Sequence, residues 1–271
     1  MLIAIPSYQR PEKLLRYTLA FLKSEKVKSD IITIFVANQK EYEEYREVIP
    51  ADYKIVVGRK GISQQRLFIR NYFPENQKIV CLDDDIRKIK YLRTELNFKL
   101  LCDRMFAYCE QESLSTWGIY PVNNLFFCKD RVLKGRFYII GCCYGYINKH
   151  DIQDWLPEKG TKEDFWYSLD RISKEGAVLR YDGACPDTIY YAKGGLSEVR
   201  TKEVEETEAK QIANMFPAFC TLHHKKNGHT DPKIKRLVMD EFPIFSTIEC
   251  PDTTKQDTSS EKPKSNAAKP S

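Results

Sequence analysis

Apolar residues come in short bursts along the first 90 residues, each closed by a turn residue and followed by helical spacing. Leu2–Ile5 reads as a strand that stops at Pro6. Arg10-Pro11-Glu12 opens a helix with proline in its first turn, and Leu15, Leu19 and Leu22 form its predicted buried stripe. Ile31–Val36 is a second strand closed by Ala37-Asn38, and Lys40–Arg46 a short helix. Tyr53–Val57 is a third strand ending at Gly58, Ser63–Tyr72 a helix stopped by Pro74, and Lys78–Leu82 a fourth strand. The first three strand runs are apolar without alternation, as strands covered on both faces should be. Strand, helix, strand at this rhythm predicts an α/β fold with a mostly parallel sheet flanked by helices.

Beyond residue 90 the pattern is less regular. Asn97–Glu112 is an amphipathic helix with Phe98, Leu101, Cys102, Met105 and Cys109 on one face. Arg136–Ile147 reads as strand, aromatic and interrupted by Gly141 and Gly145. Thr161–Lys174 is a helix, Ala177–Tyr181 a strand, and Glu203–Met215 a helix ending before Pro217. Pro251–Ser271 holds no large apolar residue and is expected to be a disordered tail. No internal repeat is visible.

Composition narrows the class without naming a function. A chain of 271 residues, 42% hydrophobic and 12% aromatic, suits one globular domain, alone or with a small appendage. A formal charge of +5 permits an acidic partner such as nucleic acid and requires none. Nine cysteines show neither C-x-x-C spacing nor histidines at zinc-site spacing, so the expectation is reduced core thiols in an intracellular protein. No run approaches the ~18–20 apolar residues that cross a bilayer, and Met1–Ile5 is too short for a signal-peptide core. A soluble, cytoplasmic protein is expected.

Asp83-Asp84-Asp85 changes the picture. The apolar run before it makes a buried strand that delivers three carboxylates to its own carboxyl end, where open α/β sheets bind ligands. Carboxylates crowd together when something positive sits among them, and a divalent cation is the usual partner. The solvated-loop reading of a short acidic run competes with this. Three more segments end predicted strands at the same sheet edge: Ile5-Pro6-Ser7-Tyr8-Gln9-Arg10-Pro11, Ile34-Phe35-Val36-Ala37-Asn38, and the basic, glycine-bearing turn Gly58–Arg66.

In this order the segments resemble the nucleotide-binding half of GT-A glycosyltransferases, metal-dependent enzymes that use nucleotide-sugar donors. Asp83-Asp84-Asp85 is similar to their D-x-D signature, and Gly61 through Arg66 to the G-x-S-x-x-R element upstream of it. A closer resemblance spans most of residues 1–240. I-P-S-Y-x-R-P, V-G-x-K/R-G-I, I-V-x-L-D-D-D-I, Trp117–Asn124 and Gly194-Gly195 look like the phage glycosyltransferases associated with TET-type dioxygenases. The resemblance implies a Rossmann-related GT-A domain over residues 1–250, with 1–90 on the donor side and 91–250 on the acceptor side. It also implies a hydroxymethylated pyrimidine in DNA as acceptor. The absence of long membrane segments argues against a processive polysaccharide synthase.

The chemistry then assigns roles. A nucleoside diphosphate leaves with growing negative charge, which Mg²⁺ or Mn²⁺ across its phosphates offsets. Asp85 is the first choice for direct metal ligand. Asp83 is expected to touch the ribose or a metal-bound water, and Asp84 to lie nearer the sugar. Pro6, Ser7, Tyr8 and Arg10 suit the base and ribose pocket of a donor such as a UDP-sugar, with Asn38 on a base edge. Arg66 suits uracil or phosphate; the rival reading makes Arg66 and Arg70 a solvated helix face. For the general base, Glu163-Asp164 resembles the acidic pair such enzymes place at a helix start, with Asp164 preferred and inversion expected. Acidic residues also favour helix starts through the helix dipole alone. Trp117, Asn123, Asn124 and Gly141–Gly145 are expected to face sugar or acceptor, with core filling as the other reading of Trp117. His223, His224 and His229 offer a third metal ligand or a solvated basic loop near acceptor phosphates. Two other functions stay open: a soluble glycosyltransferase for a glycan, lipid or protein acceptor, and a non-catalytic nucleotide- or DNA-binding module.

Overall fold

The structure is a computed structural model and describes residues 1–152, 159–188, 200–226 and 228–245. Gly194-Gly195 and the predicted tail lie outside these residues. In chain order, β1 (Leu2–Pro6) leads into α1 (Pro11–Leu14), a π-helical turn (Leu15–Leu19) and α2 (Ala20–Ser24). There follow β2 (Ile32–Val36), α3 (Gln39–Val48), β3 (Lys54–Val57), α4 (Ile62–Tyr72), β4 (Lys78–Leu82), β5 (Ile86–Tyr91) and α5 (Phe98–Gln111). The second half contributes β6 (Thr116–Ile119), β7 (Val132–Arg136), β8 (Cys143–Ile147), α6 (Glu163–Glu175), β9 (Val178–Tyr181) and β10 (Ala184–Thr188). Then come α7 (Lys202–Met215), β11 (Cys220–His224), β12 (Thr230–Ile234) and β13 (Leu237–Phe242).

Nine strands form one sheet in the order β13-β7-β9-β6-β8-β4-β1-β2-β3. β4, β1, β2 and β3 are parallel, as the apolar bursts predict. β8 runs antiparallel to both β4 and β6, so β6 and its parallel neighbour β9 point the same way as β4. The carboxyl ends of six strands therefore open on one edge. The short β5–β10 ribbon starts at that edge, directly after the aspartates.

Alternate residues of the central strands feed two cores. Ile3, Ile5, Val80 and Leu82 pack with α2 and α5 on one face; Ala4, Ile79 and Cys81 pack with α4 and α6 on the other. All five residues predicted for the inner face of α5 are buried, and the eight described cysteines are free and buried.

Two expectations fail locally. Leu15 is 37% exposed, and Leu14 and Thr18 point inward. The π turn inserts its extra residue here and rotates the stripe, a device common at functional sites. The predicted strand 136–147 divides into the end of β7 and β8, and residues 137–142 leave the sheet as the loop that carries Tyr138 and Gly141. Gly145 stays in β8 because a Cβ there would lie 2.3 Å from the indole of Trp117.

Candidate active site

β4 delivers the three aspartates to distinct fates. Asp84 is fully buried: Nε and Nη2 of Arg10 lie 3.1 and 2.8 Å from its two oxygens, and Ser7 Oγ donates to it at 2.6 Å. Its carboxylate, expected nearer the sugar, braces the turn after β1. Burial pushes Asp84 up to about 7, against the pull of Arg10. Asp85 accepts from Thr188 Oγ1 at 3.1 Å and faces Nη1 of Arg10 at 3.6 Å; burial raises its pKa too. Asp83 keeps about a third of its side chain in contact with solvent, yet the protein wall around it pushes the acid up to about 6. Thr18, turned inward by the π turn, donates to the Asp83 carbonyl at 2.7 Å and accepts from the Ile86 amide at 2.9 Å. The triad is thus clamped at both ends.

Opposite the triad stands α6. Arg66 from α4 lies between them, 4% exposed, with Nη2 3.2 Å from Asp83 Oδ1 and Nε 3.1 Å from Glu163 Oε1. The same guanidinium donates to the Gly141 carbonyl at 2.9 Å and to Tyr144 Oη at 3.0 Å. Arg66 is a buried junction rather than part of a solvated face. Arg70 is also buried, its guanidinium 3.9 and 4.2 Å from the ring centroids of Tyr146 and Tyr167. Gly141 admits this junction, since a Cβ would meet Glu163 Oε1 at 3.1 Å and Arg66 Nη2 at 3.3 Å. Burial and the neighbouring Asp164 raise the pKa of Glu163, and Arg66 opposes them. Asp164 itself is half-buried and accepts a hydrogen bond from the hydroxyl of Tyr138, whose ring stacks on Phe165 at 4.4 Å.

The remaining candidates separate. Pro6 is buried in β1 opposite Phe35, and the half-buried Tyr8 ring lies 5.9 Å from the Lys60 ammonium. Asn38 uses its side-chain oxygen to cap α3, accepting from the Glu41 amide at 3.0 Å. Trp117 is core filling, edge-on to Phe106, and does not face the crevice. Asn124 caps the 3₁₀ turn Leu125–Phe127, while Asn123 bridges Lys90 and Asp187. His224 and His229 contact Thr230 and Glu205 in the α7–hairpin network, away from the aspartates.

Sequence reading missed four residues of this site. Thr18 hides in a leucine stripe, and Thr188 and Tyr138 carry no motif. Glu208 on α7 accepts from the amides of Lys159, Gly160 and Thr161 at 2.7, 3.1 and 2.8 Å, and so fixes the loop that feeds Glu163 and Asp164 into α6. A buried acid on an inward helix face was the signal available for it.

Around the crevice Asp83, Asp84, Asp85, Glu163 and Asp164 face Arg10 and Arg66, with Lys13 acting on Asp85 as a further cation. A negative surplus of hard oxygen donors remains, the donor set a divalent cation takes. Among the described residues no cluster of three or more metal-ligating side chains forms a ready-made cage.

Residues 1–110 match the sequence model of the TET-Associated Glycosyltransferase family. No curated protein matches the chain in sequence. Among solved structures, glucosyl-3-phosphoglycerate synthase from Mycobacterium tuberculosis, in complex with Mn²⁺ and UDP-glucose, superposes with a TM-score of 0.52 at 8% identity, covering 89% of this chain and 88% of its own. The same enzyme with Mn²⁺, UDP and glucosyl-3-phosphoglycerate gives 0.51 at 8% identity over the same shares. The acids follow β4 at the edge where this fold collects its strand ends, and the chain shares the GT-A fold of these enzymes, with its first 110 residues matching the TET-associated family.

Proposed function

We propose that the protein transfers a sugar, with inversion, from a nucleotide-sugar donor to the hydroxymethyl group of a modified pyrimidine in DNA, and that it does so with a divalent cation. The observation that carries the reading is the Arg66 guanidinium shared by Asp83 and Glu163. It ties the acidic triad to the carboxylates at the head of α6, and the small recess beside the guanidinium is lined by Glu163, Asp164, Gly141 and Tyr144. An anomeric carbon seated there has the diphosphate on the triad side and the acceptor hydroxyl on the Asp164 side.

Asp85 and Asp83 are the residues that would hold Mn²⁺ or Mg²⁺. The bound ion supplies charge neutralisation to the departing diphosphate. Ser7, Tyr8 and Arg10 shape the base and ribose side, with Arg10 acting through Asp84 and Asp85. The acceptor oxygen bonds to the anomeric carbon as its proton passes to Asp164. The bond from that carbon to the β-phosphate oxygen breaks, and the electron pair leaves with the nucleoside diphosphate. Tyr138 orients Asp164, and Glu163 holds Arg66 in place. A UDP-sugar is favoured by the fold similarity to an enzyme crystallised with UDP-glucose and Mn²⁺. The match of residues 1–110 favours a DNA acceptor.

Incubation with a panel of nucleotide sugars, Mn²⁺ and 5-hydroxymethylcytosine DNA, followed by nucleoside mass spectrometry, tests the reading. A hexose mass gain on the modified base is expected. Donor hydrolysis without any mass gain on DNA, alongside transfer to a glycan, lipid or protein, would replace the DNA acceptor. Donor binding indifferent to Mn²⁺ and to Asp85→Asn would leave only a nucleotide-binding module.

A further inference from the structure

The most exposed large apolar side chains in the described protein stand on one turn. Phe126 is 85% exposed and Phe127 52%, edge-on to each other with centroids 5.2 Å apart. Burying a phenylalanine stabilises a fold, so two of them held in water call for a partner. The turn is built, not slack. Asn124 caps it through the Phe126 amide at 3.0 Å, and the Cys128 amide closes it on the Leu125 carbonyl at 3.0 Å.

Its position ties it to the crevice. The turn follows β6, whose carboxyl end opens on the same edge as β4. Asn123 at its base donates to Asp187 at 3.2 Å and accepts from Lys90 at 2.7 Å. Asp187 adjoins Thr188, which bonds Asp85. The aromatic pair therefore sits beyond the acceptor side of the triad, on the order of 10–15 Å along the β5–β10 ribbon.

Charge identifies the partner. Residues 86–93 carry Arg87, Lys88, Lys90 and Arg93 with no acid among them; Asp187 pairs with Arg87 and Lys90, and Asp130 with Arg93, which leaves Lys88 as the cation open to a partner. Lys88 is exposed, as is Lys129 just after the turn, and neither has an ion-pair partner among the described residues. Two bare aromatic rings beside a basic ribbon match a strand with stacked bases and anionic phosphates. A lipid surface offers anionic headgroups without flat rings, and a peptide does not present a regular row of rings flanked by phosphates.

We propose that the Phe126–Phe127 turn and the β5 ribbon form the DNA-docking surface of the acceptor site, the rings stacking on bases next to the target nucleotide while Lys88 and Lys129 meet phosphates. The inference rests on the DNA acceptor proposed above and adds where the strand binds. A base inside a duplex must leave the stack to reach a crevice of this kind, and rings that occupy its gap or stack on its neighbours stabilise that state.

The test uses full-length protein, a hydroxymethylcytosine oligonucleotide with 2-aminopurine beside the modified base, and the variants Phe126→Ala/Phe127→Ala, Phe126→Trp and Lys88→Ala. Wild type is expected to change 2-aminopurine fluorescence on binding. The double variant, unfolding at the wild-type temperature, should bind DNA about tenfold or more weakly and lose that signal. Phe126→Trp should keep both, and Lys88→Ala should lower the salt dependence of binding by about one phosphate contact. Wild-type transfer to DNA matched by the double variant would overturn the docking surface and leave the acceptor standing. Self-association or vesicle binding abolished by the double variant, with DNA binding unchanged, would overturn it as well. A wild type that hydrolyses donor but neither binds nor modifies DNA would overturn both.

Discussion

Asp83 and Glu163, far apart in sequence, are held on one guanidinium: Arg66 lies 3.2 Å from the first and 3.1 Å from the second. That junction joins α4 and the acids after β4 to the head of α6, inside a site with more carboxylates than cations.

Arg66→Ala should therefore damage fold and activity together. It leaves Asp83 and Glu163 near one another with no buried cation, a change that costs about 3–5 kcal/mol when one partner of a buried pair is removed. Arg66→Lys should recover part of the stability and little of the activity, because an ammonium cannot reach four partners set for a planar fork. Denaturant unfolding and turnover of the two variants check this.

Asp85→Asn should lose more than about 100-fold in cation-dependent turnover, since even outer partners of a metal ligand cost 10–100-fold. Asp84→Asn should show itself first in stability, because that carboxylate binds Arg10 and Ser7. Melting with and without Mn²⁺ separates the two: the Mn²⁺-induced rise in Tm should vanish in Asp85→Asn and persist in Asp84→Asn.

Asp164→Asn should lower kcat by about 10²–10⁴-fold with the donor KM near wild type, the signature of a lost general base. Tyr138→Phe should lower kcat less, through a poorly oriented Asp164. Steady-state kinetics with saturating acceptor decide this. Equal kcat in Asp164→Asn and wild type would assign the base elsewhere.

Glu208→Gln should loosen the loop 159–161 from α7, at about 1–3 kcal/mol for amides left without their charged acceptor. Transfer should fall while donor binding persists, because the residue acts on the entry to α6 and touches nothing on the triad side. Isothermal titration with donor nucleotide and a transfer assay give the two readouts.

Acid should weaken cation binding. Asp83 titrates at about 6 in the folded protein, above its ordinary 3.8, so the folded state takes up protons that the unfolded chain does not between those values. Its contribution to the metal-free fold therefore grows on acidification from about 6 to about 4 and fades as pH rises. Cation and proton compete for the same oxygens, so the Mn²⁺-induced rise in Tm should be larger at pH 8 than at pH 5. Equal increments at both pH values would remove Asp83 from the metal site.

Local rules determined much of this protein. Unalternated apolar bursts separated by helices gave the parallel strands β1 to β4, and a parallel strand ending in three acids put negative charge at the ligand edge without reference to any partner. Glu163 and Asp164 were placed at a helix start, where the structure has them, on a resemblance, since acids gather at helix starts whatever their role. The fate of each acid was decided by tertiary structure alone. Asp84 turned into a brace because Arg10 and Ser7 close on it, and Arg66 into a junction because Gly141 leaves room for it. Thr18 entered the site because a π turn rotated its helix, and Glu208 because α7 folds back on the 159–161 loop. Periodicity reports which face of an element is buried; what that face meets is set by contacts between residues distant in sequence, which no local pattern encodes.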